Sequence, residues 1–351
     1  MSSGLFGIEN SNRTTDEHWT KNCFNSSFPT SVACYMLDHN IRAIYNQVEE
    51  VNGEIKVVSK TIPISKVFNC GIKHSHELFF GFESVFDPYQ KYTTDRSVDK
   101  IDLIVKDCNN QWLMPLEVKL TVLPTSATCK LTEDKWGCEL VIRAATTSYC
   151  ALGMFDSVHR QSKQIREIFE STCASIQSWD NDCEMTNNMK MIRESVNAFQ
   201  KKYFKHQKPL LLQTIWKTKG QSPILADNAF DIVIWSDYAF SRLFIDPAGK
   251  KAKKMSRPMR ATARLARCLW ELSKAKKIRI VDIYRQMAFG NQTDKEFAVN
   301  GSQWRKYVTS PRIAKPLLTK DILDTIIQDG YIDRLLPERR FDQTLYFSRK
   351  K

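Results

Sequence analysis

Apolar and polar positions alternate most regularly between residues 100 and 122. Ile101, Leu103 and Val105 fall on one side of an extended chain, and Leu116, Val118 and Leu120 do the same a few residues later. Between them lies Asp107-Cys108-Asn109-Asn110, a turn-forming cluster, so the pattern predicts two strands over 100–106 and 111–122 joined as a hairpin. Near-continuous apolar runs at 209–217 and 229–235 predict buried strands, and 54–68 and 138–148 are also strand-like. Helical spacing predicts helices over 29–48 (Val32, Ala33, Tyr35, Met36), 73–86 and 156–177 (Val158, Ile165, Ile168, Phe169, Ile176). The last third reads as helices near 258–275, 280–288, 300–308 and 319–329, with a short strand at 343–348. The body is therefore mixed α/β.

Charge separates the last third from the rest. From Lys250 to Lys351 there are 25 Lys/Arg and 10 Asp/Glu, a net of +15, whereas Met1 to Gly249 carries 27 basic and 29 acidic residues, a net of −2. A basic region on a near-neutral body points to a polyanion partner, nucleic acid first. The expected division is 1–249 as a core and 250–351 as a basic, mainly helical DNA-binding region, either a helix-turn-helix or winged-helix module or an integral part of one domain. No apolar run approaches a membrane span, and the N-terminus lacks the basic-then-apolar pattern of a secretory signal, so a cytoplasmic protein is expected. The ten cysteines form no C-x-x-C pair, and no phosphate-binding glycine loop is present. ATP-driven chemistry and a zinc knuckle are thereby unsupported.

The hairpin carries the candidate chemistry. Side chains alternate along strands, so Asp102 projects opposite to Ile101, Leu103 and Val105, while Glu117 and Lys119 project opposite to Leu116, Val118 and Leu120. Antiparallel pairing would bring the three charged groups together on strands apolar enough to be central. Two carboxylates suit a hard cation such as Mg²⁺, and an adjacent lysine can orient water or steady a phosphorane. That chemistry is phosphodiester hydrolysis. Glu77 and Glu83, on the helix expected before the hairpin, are candidates for a further carboxylate, with Glu83 preferred as a third metal ligand because it follows Phe79, Phe80 and Phe82. For DNA phosphates the densest cluster is Lys250, Lys251, Lys253, Lys254, Arg257, Arg260 and Arg264. Gln303, Arg305 and Lys306 are candidates for base reading, beside Trp304 as a core anchor.

Ile101-Asp102 with Glu117-Val118-Lys119 resembles the PD-(D/E)-x-K nuclease superfamily, without the proline of the first element. Leu5 to Arg13 and Asn22 to Pro29 resemble the HindVP family of type II restriction endonucleases. The resemblance implies a restriction-endonuclease-like mixed central sheet flanked by helices. It also implies Mg²⁺-dependent cleavage of double-stranded DNA at a palindromic hexamer, GRCGYC in the family's namesake. It puts the metal on Asp102 and Glu117 and the catalytic lysine at Lys119. A palindromic site asks for a homodimer, and a companion DNA methyltransferase would protect host DNA. Two other readings stay open: a structure-directed repair or junction nuclease of the same fold, and a non-catalytic DNA-binding regulator.

Overall fold

The computed structural model describes residues 21–68, 71–123, 138–219, 225–250, 254–291, 295–319, 321–322 and 325–326. Seven strands form the main path of a mixed sheet: β1 (Arg42–Val51), β2 (Glu54–Pro63), β3 (Leu78–Ser84), β4 (Ile101–Asp107), β5 (Trp112–Val122), β7 (Pro209–Thr218) and β8 (Leu225–Ser236). Their order is β2-β1-β8-β7-β5-β4-β3, and β10 (Leu318–Thr319) adds to β8 as an eighth strand. The β1–β8 and β5–β7 pairs are parallel, the remainder antiparallel. β6 (Leu140–Arg143) and β9 (Lys295–Val299) make a separate antiparallel pair. This is the mixed central sheet with flanking helices that the sequence predicts.

Strand alternation gives the sheet two buried faces. Ala43, Tyr45, Leu103, Val105, Leu116, Val118, Leu212, Ile232 and Ile234 pack with helices α1 (Lys21–Asp38) and α2 (Ile64–Val67). Ile44, Val48, Ile104, Leu211, Ile215, Val233 and Trp235 pack with the larger helical layer. That layer comprises α3 (Ala144–Val158), α4 (Ser162–Cys173), α5 (Asp182–Tyr203), α6 (Asp237–Ile245), α7 (Arg257–Ala275) and α8 (Ile280–Gln286). The short α9 (Gly301–Arg305) follows β9.

Local chemistry explains several elements. Asn52 and Gly53 both have positive φ (53° and 79°), the turn that closes a two-residue hairpin between β1 and β2. The Asn181 side chain accepts from the Glu184 N–H at 3.1 Å and starts α5, while Lys201 and Lys202 favour its carbonyl end. Ser256 caps α7, and Lys276 ends it in the left-handed region at φ 59°.

Three expectations are corrected. The helix over 29–48 ends at Asp38, with Asn40 at φ 51°, and β1 follows from Arg42. The segment 73–86 is mostly strand β3, because Phe80, Gly81 and Phe82 pair with β4 rather than coil. The helix over 156–177 is two helices, α3 ending at Val158 and α4 beginning at Ser162. Across the 249/250 boundary, Leu265, Ala266, Leu269 and Leu272 of α7 share one cluster with Leu152 and Phe155 of α3. The strand expected at 343–348 lies outside the described residues. Among the described residues no helix is long and apolar enough to cross a membrane.

Candidate active site

The β4–β5 turn sets the geometry of the site. Asp107 Oδ1 accepts from the N–H groups of Asn109 (2.9 Å) and Gln111 (2.8 Å), and Asn110 adopts φ 60°. This fixes Leu103 opposite Leu116, so Asp102 stands across from Glu117 on the face of the large helical layer. A one-residue slip would turn both carboxylates into the opposite apolar core.

The three charged groups converge. Lys119 Nζ lies 2.5 Å from Glu117 Oε1 and 3.5 Å from Asp102 Oδ2. The Val118 N–H donates to Asp102 Oδ2 at 2.9 Å, which orients that carboxylate. Exposure is graded: the Asp102 side chain is 38% exposed, Lys119 19% and Glu117 6%. Asp102 is thus the rim of the site and Glu117 its floor. Burial, followed by the Asp102 charge, pushes the Glu117 carboxyl up to about 7, against the Lys119 ammonium and the Thr146 hydroxyl, which favour its ionised form.

The neighbouring strand supplies a rigid polar bed. Lys119 is in register with Gln213 of β7. The Gln213 amide donates to Thr121 Oγ1 (2.9 Å) and accepts from the Trp235 indole N–H (2.8 Å). All three side chains are fully buried. On the opposite side β6 runs directly into α3, with Arg143 at the N-cap and Thr146 in the first turn. Arg143 is exposed and forms no ion pair among the described residues. Sequence reading missed Thr146, because only the fold brings the first turn of α3 toward the hairpin; the signal available was a Thr-Thr pair opening an apolar helix.

The other predicted residues are scattered. Glu83 stands across from Asp102 in the β3–β4 register, exposed, on a backbone at φ 43°. No group of three acidic, His or Cys side chains able to hold a metal gathers among the described residues. Glu77 lies in a short helical turn before β3. Lys250 and Lys254 are exposed and Arg257 half-buried, while Lys251 and Lys253 lie outside the described residues.

Arg260 and Arg264 are each 4% exposed, facing inward from α7 onto Glu296 of β9. Arg264 also donates to the carbonyls of Tyr284 (3.1 Å) and Met287 (2.8 Å), so these two guanidiniums are held within the fold instead of facing a phosphate. Gln303 closes a capping box with Asn300, and Arg305 and Lys306 are exposed at the end of α9, a five-residue helix. Trp304 is fully buried, as expected of a core anchor. Lys306 also lines an open cavity of about 610 Å³ beside the β1–β2 turn, with Lys56, Lys201 and Arg242. Those three cations already pair with Glu54, Glu50 and Asp246.

A large mixed central sheet flanked by helices is the architecture of a restriction-endonuclease-like fold. The family model for HindVP restriction endonuclease matches residues 19–351. The chain is 33% identical over 346 residues to the type II restriction enzyme HgiDI of Herpetosiphon aurantiacus, covering 97% of this chain and 95% of that one. It is 32% identical over 348 residues to the probable type II restriction enzyme HindVP of Haemophilus influenzae, covering 98% and 93%. No solved structure matches it. The chain belongs to the HindVP restriction endonuclease family, whose members are DNA-cleaving hydrolases.

Proposed function

We propose that this chain hydrolyses phosphodiester bonds of double-stranded DNA at a short palindromic site, with Mg²⁺ held by Asp102 and Glu117 and with Lys119 as the catalytic lysine. The observation that carries the proposal is the convergence of these three side chains within 3.5 Å of the Lys119 ammonium. The donor set fits a hard divalent cation. Both carboxylates are oxygen donors, they face each other across adjacent strands, and their repulsion contributes to the upward shift at Glu117. When bound, such a cation supplies polarisation of a phosphoryl oxygen and a lowered pKa for the attacking water.

The chain's own residues supply the rest. Asp102, on the rim, is the carboxylate nearest to arriving DNA. Glu117, on the floor, lies in a water-poor setting where electrostatic forces act strongly. Asp102 and Glu117 would hold the cation, and the Lys119 ammonium would orient the attacking water and steady charge building on the phosphate. By family likeness the expected target is GRCGYC, read by a homodimer whose two-fold axis matches the palindrome, with a methyltransferase protecting the host.

The test is a digest of unmethylated phage DNA with Mg²⁺ or with EDTA, beside Lys119→Ala. Discrete Mg²⁺-dependent fragments, lost in the variant, are expected, with sequenced ends inside GRCGYC. A smear lost in the variant favours a structure-directed nuclease. A folded protein that shifts DNA without cutting it favours the regulator.

A further inference from the structure

The third wall of the carboxylate site is the first turn of α3. Thr146 is 1% exposed, and its buried hydroxyl has no hydrogen-bond partner among the described residues. It lies one helical turn before Tyr149, whose hydroxyl bonds the Asp99 carbonyl three residues before Asp102, and it favours the ionised form of Glu117. A buried hydroxyl without a partner is costly, and native folds retain few of them. Lys119 approaches Glu117 from the strand side and Thr146 from the helix side.

This helical turn is clamped in place. The Tyr149 hydroxyl donates to the Asp99 carbonyl at 2.7 Å and accepts from the Phe86 N–H at 3.0 Å, tying α3 to the segments after β3 and before β4. From the opposite side the Tyr284 hydroxyl donates to the Ala144 carbonyl at 2.9 Å. Tyr284 is itself fixed by Arg264, whose guanidinium lies 4.1 Å over its ring. The Arg143–Lys295 register joins β6 to β9 beside Glu296. The basic C-terminal region therefore braces the turn that carries Thr146.

We propose that Thr146 is a positioning residue for the cation site, its hydroxyl donating to the Glu117 carboxylate and holding it in the orientation that a divalent cation needs. The inference rests on the assignment of Asp102, Glu117 and Lys119 as the catalytic site. A lysine ammonium and a divalent cation compete for the same carboxylate. A neutral donor does not compete, so Thr146 keeps Glu117 oriented once Lys119 has moved away.

The experiment titrates Mn²⁺ into DNA-free protein by calorimetry and, separately, measures cleavage against Mg²⁺ concentration. The proteins are wild type, Thr146→Val, Thr146→Ala, Thr146→Ser and Glu117→Ala. Thr146→Val keeps the shape and loses the donor. It is expected to weaken Mn²⁺ binding about 10-fold and raise the half-saturating Mg²⁺ by a similar factor, the range typical of groups that orient metal ligands. Cleavage at saturating Mg²⁺ should fall far less. Thr146→Ser should restore affinity, and Thr146→Ala repeats the loss should the valine variant melt early. Unchanged Mn²⁺ affinity in the two hydroxyl-free variants, or a serine variant as weak as valine, overturns the proposal. If Glu117→Ala still binds Mn²⁺ and cuts, the underlying site assignment fails instead. If Glu117→Ala loses both and Thr146→Val loses neither, the site stands and the role of Thr146 falls.

Discussion

Two clusters of buried charge sit under the same helical layer, and they differ in how their charges are closed. Around Glu296, one carboxylate 2% exposed meets two guanidiniums each 5% exposed, and one Arg264 nitrogen also donates to two backbone carbonyls, while its Nε finds no partner among the described residues. Around Glu117, two carboxylates share one ammonium, one of them is 38% exposed, and the buried carboxyl is driven up to about 7. The first cluster has donors in excess and is sealed. The second has acceptors in excess and an open side. An excess of like charge left facing a cleft is destabilising, and its retention points to a ligand of opposite sign.

The largest expected effects come from exchanging the roles of the two clusters. Glu296→Ala strands two buried guanidiniums and should lose about 3–5 kcal/mol of stability, read from urea unfolding, while the folded fraction still cuts DNA. Glu117→Gln should do the reverse, with cleavage down about 10³-fold or more and stability equal to wild type or higher by about 0.5–2 kcal/mol. A Glu117→Gln protein that unfolds more readily than Glu296→Ala would break the distinction.

An isolated buried carboxylate sharpens it. Asp237, 2% exposed, accepts from the N–H groups of Lys208 (3.0 Å) and Tyr238 (2.8 Å), and its Oδ2 has no hydrogen-bond partner. Burial raises it from 3.8 to about 7, against those two backbone donors. The native state then keeps a proton that the unfolded chain loses near pH 4. Its contribution is fully present below about pH 4 and declines as pH rises to 7, by at most about 1.4 kcal/mol per pH unit. Asp237→Asn should flatten the stability profile between pH 4 and 7, measured as urea midpoints. An unchanged slope would show that Asp237 ionises normally within the fold.

The open cluster was legible in the sequence and the sealed one was not, for physical reasons. Asp102, Glu117 and Lys119 lie within 18 residues, on strands whose period-2 pattern gives their facing directly and whose turn of one Asp and two Asn sets the register. Arg264 and Glu296 are 32 residues apart and meet only because β9 pairs with β6. Without that pairing, an inward arginine of α7 looks the same as an outward one, hence the reading of Arg260 and Arg264 as phosphate contacts.

Elsewhere the misses are of a different kind. α5 shows its stripe openly in Met185, Met189, Ile192, Val196, Phe199 and Tyr203, yet the polar residues around 180–188 mask its start. β3 is decided by its partner, since Phe79, Phe80 and Phe82 suit either state until β4 is placed beside them.

The smallest expected effect tests the same distinction on single cations. Arg143 occupies the N-cap position of α3, three residues before Thr146, exposed and without an ion pair among the described residues, whereas Arg264 is closed on Glu296. A cation that meets a DNA phosphate releases a counterion, so its removal lowers the slope of log affinity against log salt by about 0.9. Arg143→Ala should show that drop in fluorescence anisotropy with duplex DNA in Ca²⁺, with equal weakening across sequences, because phosphate contacts position without specifying. Arg264→Lys keeps a charge in the sealed cluster and should leave the slope unchanged. If Arg143→Ala keeps the wild-type slope while Arg264→Lys lowers it, the open and sealed assignments are reversed.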